Sequence, residues 1–328
     1  MIANEELYGY KNHRIWRRLL LAEMKAMLRE HGVQIHYDSR FDRIVDDDDH
    51  GVTFQINGAA HHASMLMGAD GIFSTVRRYL EPAIQPEYTG TVGALAHIRR
   101  DTVHWPYADF EPACTIQGTP GAFFTMPEDP EAHEIMVGMQ VRLPERTRAE
   151  WDALAADKEQ LCEFFRRGYD EWHDTARQII DQVCAARDSI YLWPFLRMPK
   201  LKTWFSGSGR VVILGDAAHA VPPSSGQGVN QALEDVHSFV LLLGTSNTPL
   251  VDLLRVWQDM RQRRVDAVFE WATNTTHVQR LPKAERDRLI AEGKVSMSSG
   301  DNPNDMRWLY GADMAEEVAR LRSVNQAE

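Results

Sequence analysis

The sequence predicts an α/β fold into which a mostly antiparallel β layer is inserted. Three observations carry this expectation. A helix, short strands and another helix open the chain. Residues 82–145 alternate apolar and polar side chains among Pro, Gly, Thr and aromatics. The unbroken apolar run of "GRVVILGD" (209–216) ends in Gly-Asp ahead of a glycine-opened helix. A chain of 328 residues has room for two cores.

The elements follow in order. Ile15, Leu19, Ala22 and Ala26 put an apolar stripe on a helix through 13–30, which His31-Gly32 stops. A short apolar segment, Val33–Tyr37, comes next. Arg40–Val45 and Val52–Ile56 read as strands paired across the solvated turn Asp46–Asp49. Ser64–Met67 is a strand that runs into "GADGIFSTVRR" (68–78), where glycines break it and a helix begins. In the inserted layer, Cys114–Gln117, Ala122–Met126 and Ile135–Val141 are strands. Helices are expected over 147–167 and 170–186, and a strand over 190–195. After Gly226, Val229, Leu233, Val236, Val240 and Leu243 recur at spacings of four and three, the mark of one apolar helix face. More helix runs through Leu250–Trp271. The segment from Leu281 is polar and closes in a last short helix.

Composition narrows the function. The chain is 44% apolar and 25% charged, with a formal charge of −11. Nucleic acid or an anionic membrane would need clustered Lys and Arg, so neither is an expected partner. Cys114, Cys162 and Cys184 lie far apart without CxxC spacing and suit reduced thiols. No apolar run approaches the ~18 residues of a transmembrane helix, and no secretory signal pattern opens the chain. The expected location is the cytoplasm.

Chemistry concentrates in "GDAAHAVPPSSGQGVNQALEDV" (215–236). A buried strand ending in Gly-Asp delivers a carboxylate to the carboxyl end of a sheet, where α/β folds bind ligands. A carboxylate only accepts hydrogen bonds, so a ribose or ribityl hydroxyl suits it. Pro222 and Pro223 stiffen the turn, and Gly226 and Gly228 let a flat ligand approach the backbone. The helix start leaves N–H groups unpaired with about half a positive charge, a place for developing negative charge. GDxxH or GxG alone fits a plain strand–turn–helix with a capping Asp; the whole run is far more specific.

That run resembles the second flavin-binding motif of class A flavoprotein monooxygenases, the para-hydroxybenzoate hydroxylase and salicylate hydroxylase-like family. Gly215 to His219, Pro222-Pro223, Gly226 to Asn230 and Glu234-Asp235 fill its pattern. "GADGIFSTVRR" resembles the family's GADGxxSxVR, with Arg77 on its helix. "HRIWRRLLLAEM" is similar to the family's Arg-x-x-Leu helix, and "WLYGAD" (308–313) to the ending of salicylate-hydroxylase-type members. The motifs stand in the family's order, over nearly the whole chain. The resemblance implies an FAD-binding Rossmann-like domain with an inserted antiparallel β-sheet substrate domain. The boundaries are 1–81 and 190–280 for the FAD domain, 82–189 for the substrate domain and 281–328 for a helical tail. It implies that Asp216 binds the ribityl hydroxyls of FAD. Gly226, Gly228, Val229 and Asn230 then face the pyrimidine side of its ring, and Asp70 sits near the pyrophosphate and aids NAD(P)H binding. Arg14 or Arg17 lies over the cofactor, Arg14 being preferred because it follows His13.

The resemblance has two gaps. Family members begin with a strand and a GxGxxG loop, whereas the early glycines here, Gly9 and Gly32, sit in no such loop. The chain starts at the family's third structural step, as if about a hundred residues, one or two βαβ units of ~30 residues or more each, were removed. A fragment or incomplete gene model, a short paralogue without tight FAD binding, and a missing half supplied by another chain all fit this start. The arginine that salicylate-hydroxylase-like members often carry after "YTG" (88–90) has no counterpart in "TVGALAHI".

The implied reaction uses NAD(P)H and O2 to hydroxylate or epoxidise an apolar or aromatic small molecule through a flavin C4a-hydroperoxide. No catalytic acid or base is demanded. His97, His104, Tyr107 and His133 are candidate substrate-side groups, and Trp105, Tyr107, Phe110, Phe123 and Phe124 suit an aromatic molecule, though they equally suit a core. Self-association is left open. The rival reading is a non-catalytic flavoprotein-like fold acting as a partner subunit. A halogenase is disfavoured by the absence of Trp-x-Trp, and a hydrolase by the lack of a nucleophile elbow.

Overall fold

A computed structural model describes residues 5–9, 15–244, 248–273, 281–292 and 307–325. The described residues of 11–87, 196–270 and 307–328 form one compact unit, and those of 1–10, 88–195 and 271–306 another.

The first unit holds the Gly-Asp motifs. Helix α2 (Arg17–Glu30) precedes an antiparallel meander of β1 (Phe41–Asp48), β2 (Gly51–Ile56) and β3 (Ala59–Ala63). Strand β4 (Leu66–Gly68) pairs in parallel with β10 (Val211–Ile213), Leu66 opposite Val211 and Gly68 opposite Ile213. Helix α3 (Thr75–Leu80) follows β4 and packs tightly on it. A Cβ on Gly68 would stand 2.6 Å from the Val76 Cβ, so only glycine allows that approach. After β10 come the single turn α7 (Asp216–His219), then α8 (Gly228–Leu243) and α9 (Leu250–Trp271), and finally α11 (Arg307–Tyr310) and α12 (Met314–Asn325). The core is the β-branched run of β10 against the fully buried Trp204 and Trp257, which meet edge to face at 5.5 Å, with Phe239 5.4 Å from Trp257.

Two helices depart from their apolar patterns. No residue of α2 is buried, and Leu19, Met24 and Met27 are exposed. On α8 the face of Val229, Leu233, Val236, Val240 and Leu243 is the exposed one, Val240 by 61%. The buried face carries Gln231, Asp235, Ser238, Phe239 and Leu242. The larger apolar stripe thus loses the inside to ionic and hydrogen-bonding partners, described below. Val33–Tyr37 is exposed and forms no strand.

The second unit is built on a five-stranded sheet in the order β6 (Cys114–Gly118), β7 (Gly121–Pro127), β8 (Glu134–Arg142), β5 (Glu87–Arg99), β9 (Tyr191–Arg197). The β6–β7, β7–β8 and β5–β8 pairs are antiparallel. One face, with Val92, Ala94, Phe123, Ile135 and Val137, is covered by α4 (Arg148–Ala156), α5 (Lys158–Arg166) and α6 (Asp174–Ala185). The single helix expected over 147–167 is two. Asp157 ends the first and caps the second, its carboxylate accepting the Gln160 N–H at 3.0 Å. Short helices α1 (Glu5–Tyr8) and α10 (Lys283–Ala291) complete the unit.

Candidate functional site

The parallel pairing of β4 and β10 brings both Gly-Asp motifs to one end of one sheet. The Leu214 N–H donates to the Gly68 carbonyl at 3.1 Å, and the two carboxylates follow within a few residues. This is the carboxyl end of parallel strands, the location α/β sheets use for ligands.

Asp216 is the exposed residue in the otherwise buried run 211–221, and its carboxylate has no hydrogen-bonding partner among the described residues. Gly215 sets that direction with φ +59° and ψ −141°, a conformation open only to glycine. A Cβ on Gly215 would come within 3.2 Å of the Ala232 Cβ on α8, so strand end and helix are in close approach. Gly226 is left-handed at φ +63° and borders open space, and Gly228 stands beside Asp216. Helix α8 starts there with no side-chain cap; the Gln227 side chain accepts from Asn230 Nδ2 at 3.2 Å instead. Val229 and Asn230 are exposed. Asp216, Gly226, Gly228, Val229 and Asn230 therefore form one surface: a free carboxylate next to an open helix N-terminus.

Asp70 has a different setting. Its Oδ2 accepts the Thr75 N–H at 2.7 Å and the Val76 N–H at 3.3 Å, so the carboxylate caps α3. Ser74 assists by accepting the Arg77 N–H at 2.8 Å. Arg14 lies outside the described residues; Arg17 begins α2 and is exposed.

Sequence reasoning assigned no role to Arg77. It is 1% exposed, its Nη1 donates to the Ala217 carbonyl at 3.2 Å, and its Nε has no partner among the described residues. A guanidinium from the first motif thus reaches the backbone of the second. Burial lowers its pKa from the ordinary arginine value and Asp70 opposes that. A buried cation with an unsatisfied donor is costly unless an anion approaches.

Beneath the turn lies a network the sequence showed only as scattered polar residues. Asp235, fully buried, accepts the Gly215 N–H at 2.8 Å and meets His219 Nε2 at 2.6 Å through Oδ2. Its Oδ1 accepts from Arg261 Nε at 2.7 Å. Burial pushes this carboxyl up, but His219 and Arg261 outweigh it and hold the pKa below the ordinary aspartate range. Arg261 also donates to Glu234 Oε2 at 2.6 Å and to Gln231 Oε1 at 2.8 Å. Gln231, Asp235 and Ser238, spaced four and three apart, were a polar stripe that could have flagged an inward polar face.

In the second unit, Phe123 is core, 5.2 Å from Trp172. Trp105, Tyr107 and Phe110 cluster together, with His104 hydrogen-bonded to Gln178 and His133 exposed near Asp129. On the sheet face opposite the helices, Phe124 lies across Gly138, and His97 stacks on Tyr191 at 6.1 Å.

Residues 15–272 match the family described as FAD binding domain. The 3-amino-4-hydroxybenzoate 2-monooxygenase PtnB3 of Streptomyces platensis is 26% identical over 82% of this chain and 64% of its own length. Salicylate hydroxylase of Pseudomonas putida is 25% identical over 81% of this chain and 62% of its own. The chain thus spans less than two thirds of these relatives. The structure of CtdE in complex with FAD and a substrate, 18% identical, shares the fold with a TM-score of 0.72, over 97% of this chain and 77% of that one. No described helix is long and apolar enough to cross a membrane. With the family match over most of its length and both Gly-Asp motifs joined at one sheet end, the chain belongs to the FAD binding domain family, that of the class A FAD-dependent monooxygenases.

Proposed function

We propose that this chain binds FAD and works as a monooxygenase, with NAD(P)H and O2 as co-substrates and an apolar or aromatic small molecule as the one hydroxylated or epoxidised. The observation that carries the reading is the Asp216 carboxylate, unpartnered among the described residues, beside the uncapped start of α8. Residues and cofactor fit. The carboxylate offers acceptors to ribityl hydroxyls, and Gly226 leaves space where a side chain would stand. The free N–H groups opening α8 hold negative charge on the ring.

Bound FAD supplies the redox and oxygen chemistry that no side chain can. The chain's own residues bind, orient and exclude water. Arg77, with its free Nε, supplies a cation for the anionic part of the cofactor, and Asp70 keeps α3 in place by capping it. Phe124, His97 and Tyr191, on the sheet face opposite the helices, are the groups that would give an aromatic substrate stacking and edge contacts. The names of the hydroxylase relatives support an aromatic substrate.

The test is to purify the chain and titrate it with FAD, following visible absorbance and flavin fluorescence. Saturable binding that Asp216→Ala removes supports the reading. A well-folded but colourless protein overturns it. That second outcome favours the alternative of a non-catalytic flavoprotein-like fold acting as a partner subunit, with which the exposed apolar stripe of α8 agrees.

A further inference from the structure

The C-terminal "WLYGAD" turn has no part in the site as described, yet it is wired to it. Arg264 on α9 donates to the carbonyls of Trp308, through Nη1, and of Leu309, through Nη2 at 2.8 Å. The same guanidinium forks onto Glu234, with Nε to Oε2 at 3.1 Å and Nη2 to Oε1 at 3.0 Å. Glu234 Oε2 also accepts from Arg261, Arg261 from its other edge holds Asp235, and Asp235 holds the Gly215 N–H and His219. Four side chains, Arg264, Glu234, Arg261 and Asp235, thus run in unbroken contact from the tail carbonyls to the Gly215 N–H, one residue before Asp216.

We infer that the Trp308–Asp313 turn is a positioning element for the Asp216 carboxylate, acting through Arg264, Glu234, Arg261 and Asp235. The inference rests on the reading of Asp216 as a cofactor ligand.

The turn is shaped for the task. The Gly311 N–H donates to the Arg307 carbonyl at 2.8 Å, and a Cβ on Gly311 would press to 3.0 Å from that same oxygen. Asp313 Oδ1 accepts the N–H groups of Ala315 at 2.8 Å and Glu316 at 3.2 Å and so starts α12. Met314 brings its sulfur 3.6 Å from Arg261 Nη1. Trp308 packs its ring 5.7 Å from the Arg264 guanidinium. Each of these contacts fixes where the tail carbonyls stand. A planar guanidinium serves both the carbonyls and a carboxylate because its donors point in fixed directions, which a lysine cannot match. Arg261 and Asp235 are fully buried, and buried charge chains polarise one another, so loosening one end is felt at the other. A plain packing role would leave the tail turn independent of residues 212–220.

The test uses the full chain and two readouts. In the cofactor-free protein, hydrogen–deuterium exchange is followed for peptides covering 212–220 and 307–313; separately, FAD affinity is measured by titration. For Arg264→Gln the expected result is several-fold faster exchange in both segments and about a tenfold weaker FAD affinity, with Arg264→Lys recovering part of each. Faster exchange confined to 307–313, with 212–220 and FAD affinity unchanged, overturns the inference. If Arg264→Gln does not fold, Glu234→Gln interrupts the same chain and is judged by the same outcomes. Should the wild-type chain bind no FAD, exchange alone decides: coupled exchange upholds the link from tail to turn, and only the cofactor reading fails.

Discussion

The Asp216 carboxylate and the Gly228 backbone are neighbours: a Cβ on the glycine would lie 3.9 Å from Asp216 Oδ1. That is ordinary van der Waals contact, and Gly228 is already helical, so alanine fits without strain. Gly228→Ala is therefore expected to leave the melting temperature unchanged or slightly raised. The new methyl would crowd the space where a ligand hydroxyl meets the carboxylate, and FAD affinity should fall about tenfold or more, roughly 1.4 kcal/mol. Flavin-fluorescence titration beside a thermal melt checks both. Undiminished affinity would put the ribityl chain elsewhere.

Arg77 is expected to divide stability from binding. Arg77→Met removes a buried charge with an unpaired Nε while leaving the Ala217 carbonyl without its donor. These effects oppose, and the net change in folding stability should stay within about 1 kcal/mol. FAD affinity should drop far more, because the cation is lost from beside the Gly-Asp turn. A denaturant melt and a titration on the same sample separate the two. A large loss of stability with unchanged affinity would make Arg77 purely structural.

Acid should unfold the first unit through Asp235. Its folded pKa lies below the ordinary aspartate value, so the carboxylate stabilises the fold above that ordinary value, and the contribution disappears as pH falls through the folded value. Asp47 behaves alike: burial raises its carboxyl, but hydrogen bonds from Ser206, Ser208 and Tyr79 prevail and lower it. Asp235→Asn should cost roughly 3 kcal/mol near neutral pH, since it takes from the buried Arg261 one of its two carboxylate partners, leaving Glu234, and removes the charge beside His219. It should also flatten the acid limb of a stability-versus-pH curve. A variant whose acid limb matches the wild type would assign acid unfolding to other groups.

The two faces of α8 make a paired prediction. Leu233→Glu, on the exposed stripe, should change stability by no more than about 0.5 kcal/mol, whereas Phe239→Ala, on the buried face, should cost about 3–5 kcal/mol. Chemical denaturation of both variants checks this. The reverse ranking would mean that the apolar stripe is the inward face after all.

The contrast on α8 also marks what could be read from the sequence. Chemistry written in consecutive residues was legible: the strand before Gly215, the turn, the helix opened by Gly228 and the β1–β2 hairpin all stand close to where local pattern puts them. The antiparallel layer was legible from its alternation, although β5, its longest strand, was hidden in an almost continuous buried run. Side-chain partnerships across sequence were not. Nothing local tells that Asp235 will hold Gly215, that Arg264 will reach Leu309, or that Arg77 will find Ala217. The apolar stripe of α8 misleads for the same reason, because periodicity measures hydrophobicity and ignores an ionic partner waiting on the other side.

Because Asp235 grips the Gly215 peptide from within the core, the loop is shaped before anything docks. Little backbone freedom remains there to be frozen out on association, which trims the entropic penalty of recognition and makes arrival resemble a key entering a cut lock.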